Sequence, residues 1–162
     1  MKIINIMKGG ELYMRIIVDS DSCNKVSTII NIGKENDLEV HLFYDTSHEY
    51  NNEYCIHHQV IQGTDSADFA ILNFCMKGDI VITKDAGLAA MAMAKGSYVV
   101  HTNGMEYTDS NILSILTSRH INKKERMKGN YNKSKKNSTN NSTHYNFKET
   151  INRIINSEKE DK

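Results

Sequence analysis

The 162-residue chain contains no proline, no tryptophan and only three cysteines, Cys23, Cys55 and Cys75. The absence of proline excludes collagen-like and proline-rich proteins. The cysteines lack CxxC spacing, so the sequence predicts neither a disulfide framework nor a zinc knuckle and favours a reducing, cytoplasmic location. No apolar run approaches the roughly 18 residues that a membrane span needs. We therefore expect no membrane partner.

Positive charge is scarce in most of the chain and concentrated in one stretch. Residues 1–118 contain 8 Lys/Arg against 15 Asp/Glu, whereas residues 119–136 contain 8 Lys/Arg against Glu125 alone. An acidic body beside a basic stretch predicts that one part handles cations and the other binds phosphates, as in RNA or another nucleic acid. The candidate nucleic-acid-binding residues are Arg119, Lys123, Lys124 and Arg126. The alternative is a solvated helix end that runs into a linker.

Short β-branched runs alternate with helical patterns along the first 120 residues. The runs predict strands at residues 15–18, 39–44, 54–61, 79–83 and 97–101, the third being polar enough to lie near a sheet edge. The helix after the third strand is expected to carry Phe69, Leu72 and Met76 on one side and to end at Gly78. Thr108 is expected to cap a later helix. This alternation predicts an α/β fold with a mostly parallel sheet and helices on both faces.

Four segments are expected along the chain. Residues 1–13 form an extension outside the domain, and translation is expected to begin at Met14, because Lys8-Gly9-Gly10-Glu11 can be encoded by a purine-rich sequence resembling a bacterial ribosome-binding site. Residues 14–126 form the domain, and residues 127–145 form a polar linker. Residues 146–162 form an amphipathic helix that docks back on the domain, since a short helix is marginal alone.

The positions of the aspartates are the most informative feature for function. Asp19 and Asp21 follow the first strand, Asp65 and Asp68 lie on one face at the start of a helix, and Asp85 follows the most apolar strand. Ligands of parallel sheets bind beyond the carboxyl ends of the strands, where these side chains are expected to meet. Crowded carboxylates need a counter-charge, and hard oxygen ligands favour Mg²⁺ or Mn²⁺. The alternative is that Asp65 and Asp85 only cap helices.

Four motifs resemble the YaiI/YqxD family of bacterial proteins, which carries no established activity and is usually grouped with PIN-like nuclease folds. They occur in family order, at residues 18–23 (VDSDSC), 63–68 (GTDSAD), 78–85 (GDIVITKD) with Leu88-Ala89, and 104–108 (GMEYT). The resemblance implies a PIN-like α/β/α sandwich. It also implies that acidic site positions fall on Asp19, Asp68 and Asp85, with Asp21 and Asp65 as neighbours.

The chain departs from the family pattern at several positions. Family members usually have proline where this chain has Asn24, and they usually carry a Gly-Pro stretch and an Asp-Arg pair before the last helix. This chain has an Asn/Ser/Lys-rich segment there instead. Arg119 and Arg126 match family arginines and are candidate phosphate contacts.

Three functions compete at this point. The first is a Mg²⁺- or Mn²⁺-dependent phosphodiesterase acting on nucleic acid, in which Asp19 and Asp85 hold the metal and Asp68 completes its shell or orients water. The second is a haloacid-dehalogenase-like phosphatase that uses Asp19 as nucleophile and Asp21 as acid. The third is a non-catalytic RNA-binding module, whose binding would depend steeply on salt and not on the aspartates.

Overall fold

A computed structural model of the protein describes residues 13–63, 66–127 and 145–160. The predicted extension lies outside the described residues except for Tyr13, and so does the predicted linker except for Met127 and Tyr145. The elements in chain order are β1 (Ile16–Asp19), a 3-10 helix (Ser20–Ser22), α1 (Val26–Asn36), β2 (Val40–Asp45), β3 (Ile56–Val60), α2 (Ser66–Phe74), β4 (Ile80–Ile82), α3 (Ala86–Ala94), β5 (Tyr98–Val100), β6 (Glu106–Tyr107), α4 (Ile112–Met127) and α5 (Phe147–Glu160).

The strands form one sheet in the order β3-β2-β1-β4-β5-β6. Every neighbouring pair is parallel except β5 and β6, which are antiparallel. The five predicted strands all form, and β3 lies at the edge as expected. The sequence pattern misses β6, because two residues are too few to show an alternation. The carboxyl ends of β1, β2 and β4 are adjacent, which places the turns that follow them side by side.

Each face of the sheet carries its own hydrophobic core. Alternate residues of a strand point to opposite faces, so Ile16 and Val18 pack with α1 and α5, whereas Ile17 packs with α2, α3 and the start of α4. These side chains of β1 are fully buried. The arrangement is the expected α/β/α sandwich with a mostly parallel sheet.

Helix α5 completes the first of these cores. Its buried side chains are Phe147, Ile151, Ile154 and Ile155. The Asn146 side chain accepts a hydrogen bond from the Glu149 amide at 3.3 Å, which caps the first turn. A Cβ atom at Gly104, whose φ is +97°, would lie 2.8 Å from the Phe147 nitrogen, so the close approach requires glycine. The predicted docking of this helix is confirmed.

Helix α2 ends earlier than predicted. It ends at Phe74, and Ile71 is its fully buried side chain, whereas Phe69 is 63% exposed. Phe69, on the predicted apolar side, therefore does not pack in the core, where Ile71 and Cys75 lie instead. Gly78 does not end the helix. It lies in the turn before β4 with a φ of +87°, a conformation that favours glycine.

Thr108 also differs from its predicted role as a side-chain cap. Its hydroxyl pairs with Ser110 at 2.8 Å, and it is the Thr108 carbonyl that accepts from the Ile112 amide at 3.0 Å. The Asn111 side chain holds this turn by accepting from the Thr108 amide. Helix α4 therefore starts from a turn organised by Asn111.

Buried His41 and half-buried His58 form a pair on the neighbouring strands β2 and β3. His41 Nδ1 lies 2.9 Å from His58 Nε2, and His41 Nε2 lies 3.2 Å from a Glu39 carboxylate oxygen. Both rings pack against Phe74. Burial, with the neighbouring His58 and Arg15, lowers the pKa of His41 to about 4, and burial also lowers the pKa of His58. The pair is therefore neutral in the folded protein at neutral pH.

Acid should destabilise the protein through His41. The unfolded chain takes up a proton near pH 6.5, whereas the folded chain does so only near pH 4, so stability is lost as pH falls between these values. Between pH 7.5 and pH 5 the free energy of unfolding should fall by about 2 kcal/mol less in His41→Leu than in the unsubstituted protein. Urea unfolding at the two pH values measures this difference. His120→Leu, at an exposed position of α4, is the control. Equal pH dependence in both variants would contradict the assignment.

Candidate active site

Asp19 is the most buried acidic side chain at the carboxyl edge of the sheet, at 7% exposure. One oxygen, Oδ2, accepts hydrogen bonds from the Ser22 hydroxyl at 2.8 Å and the Thr83 hydroxyl at 2.9 Å. Burial raises the pKa of Asp19, the two hydroxyls oppose this effect, and the charges of Asp21 and Asp85 add to it. Asp19 is thus a costly buried carboxyl whose position is fixed by two hydroxyls.

Thr83 connects the ends of β1 and β4. Its hydroxyl donates to Asp19 and accepts from the Asp85 amide at 3.0 Å. Asp85 Oδ1 in turn accepts from the Leu88 amide at 2.9 Å and caps α3. The predicted capping alternative is therefore correct for Asp85, but its Oδ2 lies 3.7 Å from Arg119 Nη1. One oxygen supports the helix and the other faces the basic helix α4.

Asp21 lies in a second cluster at the same edge, with Asp45 at the end of β2 and His48 in the following loop. His48 Nδ1 lies 2.9 Å from Asp21 Oδ1 and 3.4 Å from Asp45 Oδ1. The Asp45 amide donates to Asp21 Oδ2 at 3.0 Å. Within the described ranges, this is the group of three whose candidate ligand atoms all lie within 4.8 Å of one another. Hydrogen bonds from Ser47 lower the pKa of Asp45.

The loop after β2 is tied to the turn after β1, which explains why the second cluster forms. The Tyr50 hydroxyl donates to the Ser20 carbonyl at 2.9 Å. Tyr50 also packs against the core beneath α1. This anchor returns the loop to the sheet edge and brings His48 beside Asp21.

Asp68 lies on α2 and faces a cavity of about 220 Å³ that Asp85 also lines. The remaining wall is largely apolar, with Phe69, Leu72, Leu88 and Met91. Asp65, the other predicted ligand on this helix, lies outside the described residues. The structure thus brings Asp68 and Asp85 to one cavity, while Asp19, Asp68 and Asp85 do not form a compact group of three ligand atoms among the described residues.

The predicted phosphate contacts lie on the carboxyl-terminal half of α4. Arg119, Lys123, Lys124 and Arg126 are all exposed. Every residue from 117 to 127 is exposed, so this half of the helix extends over the surface instead of packing on the sheet. Arg119 is the member that reaches the acidic edge, through Asp85.

The donor set at this edge fits a hard divalent cation. Carboxylate oxygens of Asp19, Asp21, Asp45 and Asp85 come from three neighbouring strand ends, and the His48 imidazole lies beside Asp21 and Asp45. Oxygen ligands of this kind suit Mg²⁺ or Mn²⁺, and Mn²⁺ also accepts an imidazole. The three cysteines are free and buried, and burial raises the pKa of Cys23, so its thiol is not activated.

Sequence reasoning missed four side chains of this edge, namely Ser22, Asp45, His48 and Thr83. Asp45 carries the same signal as Asp19, because it is the last residue of a strand that neighbours β1. Asp45 is identified when the reasoning about residues at strand ends is applied to β2 as well as to β1. His48 follows at three residues with no motif, and only the fold of the loop brings it to Asp21.

Comparison with known proteins places the chain in a family. The family described as "Uncharacterized BCR, YaiI/YqxD family" matches residues 17–157. The chain belongs to the YaiI/YqxD family. The resemblance inferred from the four motifs is thereby confirmed, and the match extends into α5. The grouping of YaiI/YqxD proteins with PIN-like folds stays a prediction, and no solved structure matches the chain.

Several bacterial relatives support this YaiI/YqxD membership. A UPF0178 protein of Clostridium acetobutylicum is 42% identical over 113 residues, covering 70% of this chain and 76% of the relative. A UPF0178 protein of Lachnoclostridium phytofermentans is 38% identical over 146 residues, covering 89% and 98%. One of Oceanobacillus iheyensis is 40% identical over 119 residues, covering 72% and 82%. None of these names carries an activity.

Two further observations bear on the alternatives. Gly78-Asp79 with Asp85 superficially resembles the last acidic motif of dehalogenase-like phosphatases. Asp79, however, pairs with Arg15 at 2.6 Å at the amino-terminal end of β4, so it supplies no acid to the carboxyl edge. In the described part of the chain, no helix combines the length and apolar character that a membrane crossing requires.

Asp19 and Asp79 should respond oppositely to the same substitution. Asp19→Asn removes a buried charge near two like charges, and its amide oxygen can still accept from Ser22 and Thr83, so the free energy of unfolding should rise at pH 7.5. Asp79→Asn breaks a buried ion pair and should lower it by about 3 kcal/mol. Urea unfolding of both variants measures this. A destabilised Asp19→Asn protein would show that the carboxylate serves the fold.

Proposed function

We propose that the protein is a Mg²⁺- or Mn²⁺-dependent phosphodiesterase that acts on RNA or another nucleic acid at the carboxyl edge of its sheet. The observation that carries this proposal is Asp19, a buried carboxyl fixed by two hydroxyls beside Asp21 and Asp85. A carboxylate placed at such a cost is typical of a functional site. YaiI/YqxD membership alone supplies no activity.

Asp21, Asp45 and His48, whose candidate ligand atoms lie within 4.8 Å of one another, would hold the cation, and Asp19 and Asp85 would join them from the adjoining strand ends. A bound Mg²⁺ or Mn²⁺ supplies positive charge to a phosphodiester and lowers the pKa of a water molecule that attacks it. Thr83 and Ser22 position Asp19 through its Oδ2. Asp68 faces the cavity beside Asp85 and would orient the water or complete the ligand set.

The exposed half of α4 would bind the nucleic-acid backbone. Arg119 lies 3.7 Å from Asp85, so a phosphate bound at this arginine is adjacent to the acidic edge. Lys123, Lys124 and Arg126 continue the positive charge along the exposed helix. An arginine suits this position because its planar guanidinium pairs with two phosphate oxygens.

Purified protein should cleave single-stranded RNA with Mn²⁺, and Asp19→Asn should abolish cleavage. Mn²⁺ should also raise the unfolding midpoint of the unsubstituted protein and have little effect on Asp19→Asn, which measures binding independently of activity. Asp37→Asn is the matched control, since Asp37 is exposed with a φ of 55° that asparagine tolerates. Equal cleavage by Asp19→Asn would overturn the proposal.

Arg119 should contribute one phosphate contact. Arg119→Gln is expected to weaken RNA binding across all sequences and to reduce the slope of log affinity against log salt by about 1. Fluorescence anisotropy in Ca²⁺ at several salt concentrations measures both quantities. Lys148→Gln, at an exposed lysine of α5 on the other face, should leave the slope unchanged. RNA binding that resists every aspartate substitution and ignores Mn²⁺ would instead favour the non-catalytic binding module.

A further inference from the structure

Phe69 is an aromatic side chain in an unusual position. It lies on α2, is 63% exposed and lines the cavity that Asp68 and Asp85 share. The other phenylalanine of this helix, Phe74, packs against His41, Phe43 and His58 in the interior. A large apolar ring left this exposed at a cavity is a candidate contact for a ligand.

The cavity wall has the chemistry of a site for one flat, apolar group. Phe69, Leu72 and Met91 provide apolar surface, and Met91 is 45% exposed. The volume of about 220 Å³ is below the roughly 300–1,000 Å³ of pockets for drug-sized ligands. A single ring system suits this size better than a whole cofactor does.

Charge around the cavity indicates what such a ring is attached to. Asp85 lies at the cavity and 3.7 Å from Arg119, which begins the exposed basic half of α4. A ligand that places an apolar ring against Phe69 and an anionic backbone along this helix satisfies both surfaces. Nucleotides in a single strand have this combination, because their unpaired bases are free to stack on aromatic side chains.

We propose that the cavity between α2 and α3 binds one unpaired nucleobase of a single-stranded nucleic acid by stacking on Phe69, next to the acidic edge. This inference rests on the proposed function and specifies its substrate as single-stranded. Stacking on an aromatic ring tolerates every base. The site therefore selects strand state and has little base preference, and a duplex, whose bases are already stacked, binds poorly there.

The test uses the full chain carrying Asp19→Asn, in Ca²⁺, with a fluorescent single-stranded RNA of ten nucleotides. Phe69→Ala should weaken binding by about 5- to 150-fold, the equivalent of 1–3 kcal/mol for one stacked base. Phe69→Trp should restore it, whereas Phe69→Leu, which is apolar but not aromatic, should not. Tyr145→Ala is the control, since Tyr145 is a 41% exposed aromatic residue that precedes α5 on the opposite face.

Several results would overturn the inference. They are unchanged affinity in Phe69→Ala, full rescue by leucine, equal binding of duplex and single strand, or no binding of single-stranded RNA. A second copy of the chain is the competing occupant. A dimer by sedimentation that Phe69→Ala converts to a monomer would assign the cavity to that copy.

The proposed activity is judged separately from the cavity. If Asp19→Asn abolishes Mn²⁺-dependent cleavage while Phe69→Ala leaves RNA affinity unchanged, the phosphodiesterase stands and the base site fails. If the protein cleaves no RNA but Phe69 controls single-strand binding, the base site stands and the catalytic proposal fails.

Discussion

The hydroxyl of Thr83 is the interaction on which the geometry of the acidic edge depends. A threonine hydroxyl has one proton to donate and two lone pairs to accept with. Here the hydroxyl donates to Asp19 Oδ2 and accepts from the Asp85 amide. Its donor and acceptor roles are therefore both assigned, and its orientation is fixed. The bond joins the end of β1 to the turn after β4, although the two are 64 positions apart in sequence. The same turn starts α3, which the Asp85 carboxylate caps.

Asp19 Oδ2 accepts two hydroxyl protons, so this oxygen faces Ser22 in the following turn and Thr83 at the end of β4. This arrangement stabilises the ionised form and partly offsets the cost of burial. Asp21 and Asp85 nevertheless add like charge nearby. An asparagine would satisfy the same two donors without that cost, and this observation supports the proposed cation site. At the other end of the sheet, Asp79 forms an ion pair with Arg15, so its negative charge is balanced.

The fold was largely predictable because its signals are local, and the site was predictable only in outline. Branched runs and capping residues identify β1 to β5 and α5, and the rule that parallel strands end at one edge places Asp19, Asp21 and Asp85 together. Distances within that edge depend on loops. The Tyr50 anchor, which brings His48 to Asp21, has no periodic signal. Phe69 shows a different limit, since helical spacing groups apolar residues on one side of a helix without showing which of them pack in the core.

The acidic body and the basic stretch, separate in sequence, meet at the contact between Asp85 and Arg119 in the described part of the chain. Both side chains are about half exposed and lie 3.7 Å apart. Exposed ion pairs of this kind contribute about 0–1 kcal/mol, and salt weakens them further. A phosphate offers Arg119 a bidentate partner and a stronger charge-assisted bond than this distant carboxylate does. Under the proposed function, nucleic acid would displace Asp85 from Arg119 at little cost, and a divalent cation would favour the same exchange by binding the released carboxylate oxygen. The two proposed ligands would then bind cooperatively, because each weakens the contact that competes with the other.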